Sequence, residues 1–372
     1  MQVTIIVAGA SSHRKNAIMQ ILGGWKPPLR KNTINTIQEI SDRTLLSDHD
    51  RLPLLVCGIA GVSGYNAFQQ FRAKYGDQVF GQRPTRNWPL SGDGIIGCDL
   101  EDTESFRQLL IDRKIKTVLN CGGSCALKAC ELDPDMANRV NVFCVQQLLN
   151  VLEGTDIRFV HLSIDLVYSG TGDGGHVETD VPDPVTVYGE TMVAAEQLIL
   201  NQRPESAILR ISLPMGISFN GHAGAIDWIE SRFRKDKPAT LYFDEVRTPT
   251  YCQCLNETIE DVLVSSLSGI YHCGGPRRLS LYQIAQIVNR VGGYDPDLLI
   301  GCPRIDAGPI PPRAGNVTMD SSRLAAAIGR TPFLPWPLKE SQVPSSLDWH
   351  YDRSSGQVGS HQKIIDDLYL RP

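Results

Sequence analysis

No run of apolar residues in this 372-residue chain is long enough to span a bilayer, which takes about 20. Met1–Ala10 is apolar but short, with neither a basic start nor a cleavage site, so it does not read as a signal peptide. Positive charge is not in excess: 36 Lys and Arg stand against 41 Asp and Glu, a formal net charge of -5. That balance gives no general attraction to nucleic acid or to an anionic membrane, and neither is expected as a partner. The cysteines include no CxxC pair, and Cys252 and Cys254 form a lone CxC. Neither a zinc site nor a disulfide framework is expected. Cys57, Cys98, Cys121 and Cys273 lie in or beside apolar runs, where a free thiol packs as a small hydrophobe. The expected compartment is reducing, the cytoplasm. No internal repeat is visible.

What is present is an alternation of short apolar strands with helical stretches. Leu54–Cys57 is continuously apolar, the mark of a parallel strand buried on both faces. Further strands are predicted at Gln78–Gln82, Gly94–Cys98, Lys116–Asn120, Ile157–Ser163 and Ala207–Ile211. Helices are predicted at Thr103–Arg113 and Met136–Leu152, and at Leu281–Val291 with Ser280 as N-cap and Gln283 completing a capping box. The pattern predicts an α/β fold: a Rossmann-type, doubly wound parallel sheet with right-handed crossovers and a smaller C-terminal substrate-binding lobe. The expected divisions are an N-terminal extension over 1–52, a dinucleotide-binding domain over 53–212, a partly interleaved substrate lobe over 213–337 and a polar tail over 338–372. Within the extension, to which no role is assigned, Val3–Val7 reads as a strand or as part of an unstructured segment, Lys26–Arg30 as loop and Asn35–Leu46 as a weak helix. Gly301–Gly315 reads as loop, and the tail as partly disordered.

The first strand runs into Gly58-Ile59-Ala60-Gly61-Val62-Ser63-Gly64, and a helix with Phe68, Phe71 and Tyr75 on one face follows. In such a turn the first glycine permits the tight exit from the strand and the second lets a pyrophosphate approach the backbone. The third lets helix and strand pack closely. The helix start, at Gly61, Val62, Ser63 and Gly64, offers free N–H groups to phosphates. A nicotinamide dinucleotide is the expected cofactor. The stretch after the second strand reads Gln82-Arg83-Pro84-Thr85-Arg86, with no acid for the NAD ribose and two arginines. NADP(H) is therefore favoured over NAD(H), with Arg83 as the candidate phosphate contact.

The chain resembles the extended short-chain dehydrogenase/reductase family, in its dTDP-4-dehydrorhamnose reductase-like branch. The resemblance runs from about Leu54 to Leu324. Asp99-Leu100 resembles the pair that contacts the adenine, and Asn120-Cys121-Gly122-Gly123 the turn beside the cofactor, which implies cofactor roles for Asp99, Leu100, Asn120 and Gly122. Val140-Asn141, the stretch His161–Tyr168, Tyr188-Gly189, Glu196, Arg247–Tyr251, Gly269–His272, Arg313 and Asp320–Leu324 follow in the family's order. The resemblance implies an oxidoreductase acting on a nucleotide sugar or a similar small molecule, and pairing of two copies through helices.

Family chemistry uses a Ser or Thr, a Tyr, and a Lys four residues after the Tyr, on the same helix face. Here the Tyr is Tyr188, the Lys position is Met192 and the Ser/Thr position is Ile164. Ser163 is adjacent, but strand alternation turns it to the opposite face unless the strand ends there. Two expectations follow. One is an NADP(H)-dependent reductase of a nucleotide-linked deoxysugar with an atypical site, using Tyr188, aided by Ser163 or a water. The other is a catalytically inactive protein that binds NADP or a nucleotide sugar, a role the branch also contains in the regulatory subunit of methionine adenosyltransferase. A dehydratase is disfavoured because Asp165 is followed by Leu166 rather than Glu, and an epimerase because it needs the same Tyr and Lys. Asp165, at a strand end, and Arg247 are candidate substrate contacts. Arg247 and Arg313 are each weighed as a diphosphate clamp or a structural ion pair.

Overall fold

The computed structural model describes residues 46, 50–221, 224–353 and 360–370. The expectations for Val3–Val7, Lys26–Arg30 and, Leu46 aside, Asn35–Leu46 fall outside these described residues.

Seven strands form one parallel sheet: β1 (Leu54–Cys57), β2 (Val79–Arg83), β3 (Ile95–Gly97), β4 (Thr117–Asn120), β5 (Arg158–Ile164), β6 (Ala207–Ile211) and β7 (Gly269–Cys273). Their order is β7-β6-β5-β4-β1-β2-β3, with every neighbouring pair parallel. The direction of winding reverses between β1 and β4, and a ligand crevice opens at the carboxyl ends of strands at such a point.

Alternation along each strand builds both cores. Leu54 and Val56 face α1 (Val62–Tyr75), where they pack with Phe68 and Phe71. Leu55 and Cys57 face the other way, toward Phe106 of α2 (Thr103–Asp112). Asp102 caps α2 by accepting from Ser105 N at 3.1 Å, a cap worth about 1 kcal/mol.

The chain then forms α3 (Leu127–Leu132) and α4 (Pro134–Asn138). The helix predicted over Met136–Leu152 is interrupted: Arg139–Phe143 is a π turn, and α5 (Cys144–Leu152) follows. Asn141 lies buried within that turn, and such bulges are frequent at functional sites. α6 (Val187–Gln202) starts with Thr186 accepting from Gly189 N, and α5 and α6 cover the face opposite α1.

After β6 the chain leaves the sheet and builds α7 (Asp227–Phe233) and a strand, Ala239–Tyr242. It returns through α8 (Cys252–Val264) to β7. α9 (Leu281–Val291) carries the expected capping box of Ser280 and Gln283. One expectation is corrected after it. The stretch read as loop begins inside a strand, Leu299–Cys302, which pairs with Ala239–Tyr242 across a long sequence separation. The described part of the tail is not loose. Beyond α10 (Ser322–Ile328), α11 (His361–Leu368) buries Ile364 and Leu368, and Trp336 donates its indole N–H to Leu368 O at 2.8 Å. No helix among the described residues is long and apolar enough to cross a membrane.

Candidate functional site

The turn after β1 divides its labour among three glycines. Gly58 has φ +75°, and a Cβ there would stand 2.5 Å from the Gly122 backbone. Gly64 would place a Cβ 2.5 Å from Gly58 O. Both positions are glycine because the protein's own backbone fills the space. Gly61 differs: a Cβ there would meet nothing closer than Gly58 O at 3.7 Å, an ordinary contact. The protein itself leaves that space open. Gly61 is also the N-cap of α1, with no side-chain cap, and the first turn holds no acid. Backbone N–H groups and the positive helix end therefore face open volume, which fits a dinucleotide's pyrophosphate.

That volume is one cavity of about 820 Å³. It begins at Gly61, Val62 and Ser63, passes Gly122, and reaches Ile164, Asp165, Tyr188 and Met192. It ends against Trp228 and Arg232 of α7, and against Tyr242, Glu245, Arg247 and Arg313. The ranges between the strands thus converge on one crevice above the sheet.

The cofactor-side residues that do not line it play supporting parts. Asn120, at the end of β4, accepts from Gly122 N at 3.0 Å and bonds His161 Nδ1 at 3.0 Å. Asn141 accepts from Ser124 N at 2.7 Å and donates to Thr191 Oγ1 at 2.9 Å, tying the Gly122 loop to α6. Gln82 is buried; its Oε1 accepts from Gly58 N at 3.0 Å and its amide donates to Cys98 O. This clamp on the glycine turn was not read from sequence, because it depends on the register of β1 against β2 and β3. Arg83, expected on a cofactor phosphate, folds back onto the carbonyls of Pro84, Thr85 and Leu90. Arg86 is exposed beside it. Asp99 accepts from Thr85 N at 3.0 Å and from its hydroxyl, and Leu100 lies 3.8 Å from the position of a Gly122 Cβ.

On the reacting side, Tyr188 and Met192 stand one turn apart on α6, both buried, in a cluster that includes Leu166 and Ile164. Burial pushes the Tyr188 phenol well above 10; nearby Cys125, Asp165 and Cys130 add to the rise, and Arg247 offsets part of it. No ammonium stands at residue 192 to bring it down. Ser163 has a different partner from the one expected. Its hydroxyl donates to Glu196, which also pairs in fork geometry with Arg210 at 2.9 and 2.7 Å. Arg210 donates on to the Tyr168 hydroxyl at 2.7 Å. The strand continues one residue past Ser163, so alternation turns that hydroxyl into the sheet–α6 interface.

Asp165 accepts from Arg247 Nη1 and from Ser212 Oγ, each at 2.6 Å. Arg247 donates to Glu245 at 2.8 Å. Both expected substrate contacts line the cavity, yet they are first each other's partners. Glu245 and Trp228 were missed. The only sequence signal for Glu245 is its place two residues before Arg247, on one face of an extended segment.

The sequence profile of the family described as RmlD substrate binding domain matches residues 52–342. A probable low-salt glycan biosynthesis reductase of Haloferax volcanii is 26% identical over 280 residues, covering 74% of this chain and 91% of the relative. Methionine adenosyltransferase 2 subunit beta of Xenopus laevis is 25% identical over 244 residues, covering 62% and 69%. Among solved structures, dTDP-4-dehydrorhamnose reductase of Bacillus anthracis in complex with NADP superposes with a TM-score of 0.64 at 16% identity, covering 76% of this chain and 94% of that one, a likeness of fold.

Proposed function

The chain belongs to the RmlD substrate-binding domain family of the extended short-chain dehydrogenases/reductases, and from that premise we propose that it reduces a nucleotide-linked deoxysugar with NADP(H), through an atypical site. One observation carries this reading: a single cavity joins the uncapped start of α1 at Gly61 to the phenol of Tyr188. When bound, the reduced nicotinamide supplies hydride to the substrate carbonyl. Gly61, Val62 and Ser63 hold the pyrophosphate. Tyr188 holds a proton on its hydroxyl throughout the neutral range, because burial raises its pKa, and gives it to the developing alkoxide. Ser163 also lines the cavity, but its hydroxyl donates to Glu196, so in this reading it transfers no proton. Loss of the Lys and of the Ser/Thr hydroxyl removes assistance of a kind worth about 10²–10⁴ in rate, so turnover is slow. The NADP(H) preference rests on Arg86 and on the lack of a carboxylate at the end of β2, where Gln82 holds Gly58 instead.

A second reading has its own support: Ile164 and Met192 present apolar groups to the cavity where the family has polar ones, which suits a protein that binds both ligands without converting them. The test is NADPH oxidation with dTDP-4-dehydro-6-deoxy-L-mannose. Turnover abolished in Tyr188→Phe supports the reductase. Tight NADPH binding with no turnover supports the binding protein. Absence of NADPH and NADH binding by calorimetry refutes both.

A further inference from the structure

The far wall of the cavity carries four charged side chains in a row: Asp165, Arg247, Glu245 and Arg313. Three contacts link them. Arg247 pairs with Asp165 at 2.6 Å and with Glu245 Oε1 at 2.8 Å, and Arg313 Nη1 stands 3.8 Å from Glu245 Oε2. The first two are hydrogen bonds; the third is too long to be one. Glu245 is 1% exposed, and its Oε2 and the Nε of Arg313 have no hydrogen-bond partner. A buried carboxylate oxygen without a donor costs free energy unless something completes it.

The gap is held open by its surroundings. The Arg313 guanidinium lies over the Tyr242 ring, 4.8 Å from the centroid. Its segment is pinned beside Glu245, since Gly315 O accepts from Val246 N at 3.0 Å and Val246 O from Val317 N at 3.2 Å. Glu245 O accepts from Leu281 N at 2.9 Å, fixing the other side.

The chemistry of the gap selects what can fill it. At the gap itself one positive group, Arg313, faces one negative group, Glu245, so the pair offers a diphosphate no net attraction, and Arg232 lies at the same end of the cavity paired with the carbonyl of Pro238. A phosphate oxygen also has no proton to give to Oε2. A hydroxyl has both functions, and one oxygen can stand within hydrogen-bond range of both ends of a 3.8 Å gap. We propose that Glu245 and Arg313 read a hydroxyl of the substrate's sugar, which accepts from Arg313 Nη1 and donates to Glu245 Oε2. Arg313 is then a sugar-specificity residue rather than a diphosphate clamp. The assignment rests on the cavity being a nucleotide-sugar site.

The test is calorimetric titration of the full chain with dTDP and dTDP-glucose, and with UDP and UDP-glucose. In the wild type the sugar adds affinity over the bare diphosphate. Arg313→Met, at a partly exposed position, removes roughly 10- to 100-fold of sugar-nucleotide affinity and leaves the bare diphosphate within twofold. Glu245→Gln keeps an acceptor for Arg247 and also weakens only the sugar nucleotide. The double variant loses less than the sum, because both side chains act on one hydroxyl. Equal affinity of the wild type for diphosphate and sugar nucleotide overturns the proposal, with a water filling the gap. So does a parallel loss of both ligands in Arg313→Met, which marks a phosphate clamp. No binding of any of the four overturns the nucleotide-sugar reading itself.

Discussion

Met192→Lys restores the missing ammonium one helical turn from Tyr188, and its effect can be worked out in advance. Both side chains are buried and line the same cavity. With a phenol pKa well above 10, fewer than about one molecule in a thousand carries phenolate at pH 7. An ammonium within about 4–6 Å lowers the phenol pKa by about 1–3 units, or about 1.4–4 kcal/mol. For the wild type, kcat/KM for carbonyl reduction is expected to stay flat from pH 6 to pH 9, because the donor remains protonated. In the oxidative direction it climbs about tenfold per pH unit over that range, because the acceptor is the rare phenolate. Met192→Lys moves both breaks down together by about 1–3 units, so at a fixed pH below them the oxidative kcat/KM rises. Met192→Leu, similar in volume, costs under about 1.5 kcal/mol and leaves both profiles unmoved. A wild-type break between pH 7 and 8, or an oxidative kcat/KM at pH 8 no higher in Met192→Lys than in the wild type, in a variant that still melts cooperatively, refutes the reasoning.

Other expectations follow from the same structure. Gly61→Ala keeps the melting temperature but weakens NADPH binding at least tenfold, whereas Gly58→Ala, forced into φ +75° against Gly122, loses about 2 kcal/mol or more in urea denaturation. Glu196→Gln leaves Arg210 buried without its charge partner and costs about 3–5 kcal/mol by the same measurement. His161 and His272 are buried neutral, both pushed down to about 4 chiefly by desolvation. Their unfolded forms take up protons first, so stability is full above pH 6.5 and declines from there toward pH 4. At pH 5 the loss is about 2 kcal/mol for each, and a Tyr188→Phe background should not alter it. A urea midpoint that is level from pH 7 to pH 5 contradicts that assignment.

The sequence made legible what depends on short range. β1 and β6 fall at the residues predicted, because a short continuous apolar run such as Leu54–Cys57, ended by a glycine turn, fits a strand buried on both faces. The Ser280 capping box is a local pattern and stands as read. The glycine turn carried its context with it. What escaped depends on pairing between distant segments. Leu299–Cys302 is a strand only because Ala239–Tyr242 lies beside it. α11 lies in a mostly polar tail, yet its Ile364 and Leu368 find a core that includes Trp336. The carbonyls that accept from the Nε and Nη1 of Arg83 are gathered by a turn that no local pattern announces. Glu245 and Arg313 are 68 positions apart in sequence, so neither alone announces a shared gap.

The bond from Ser163 to Glu196 has a further consequence for how this active site can change over evolutionary time. That hydroxyl supports a buried charge pair inside the scaffold, so exchanging Ser163 would be felt by folding before it was felt by chemistry. Ile164 and Met192 also line the crevice but touch no buried charge, so replacing them is felt through packing alone. The two positions can therefore vary while the pair of Glu196 and Arg210 keeps its place beneath them.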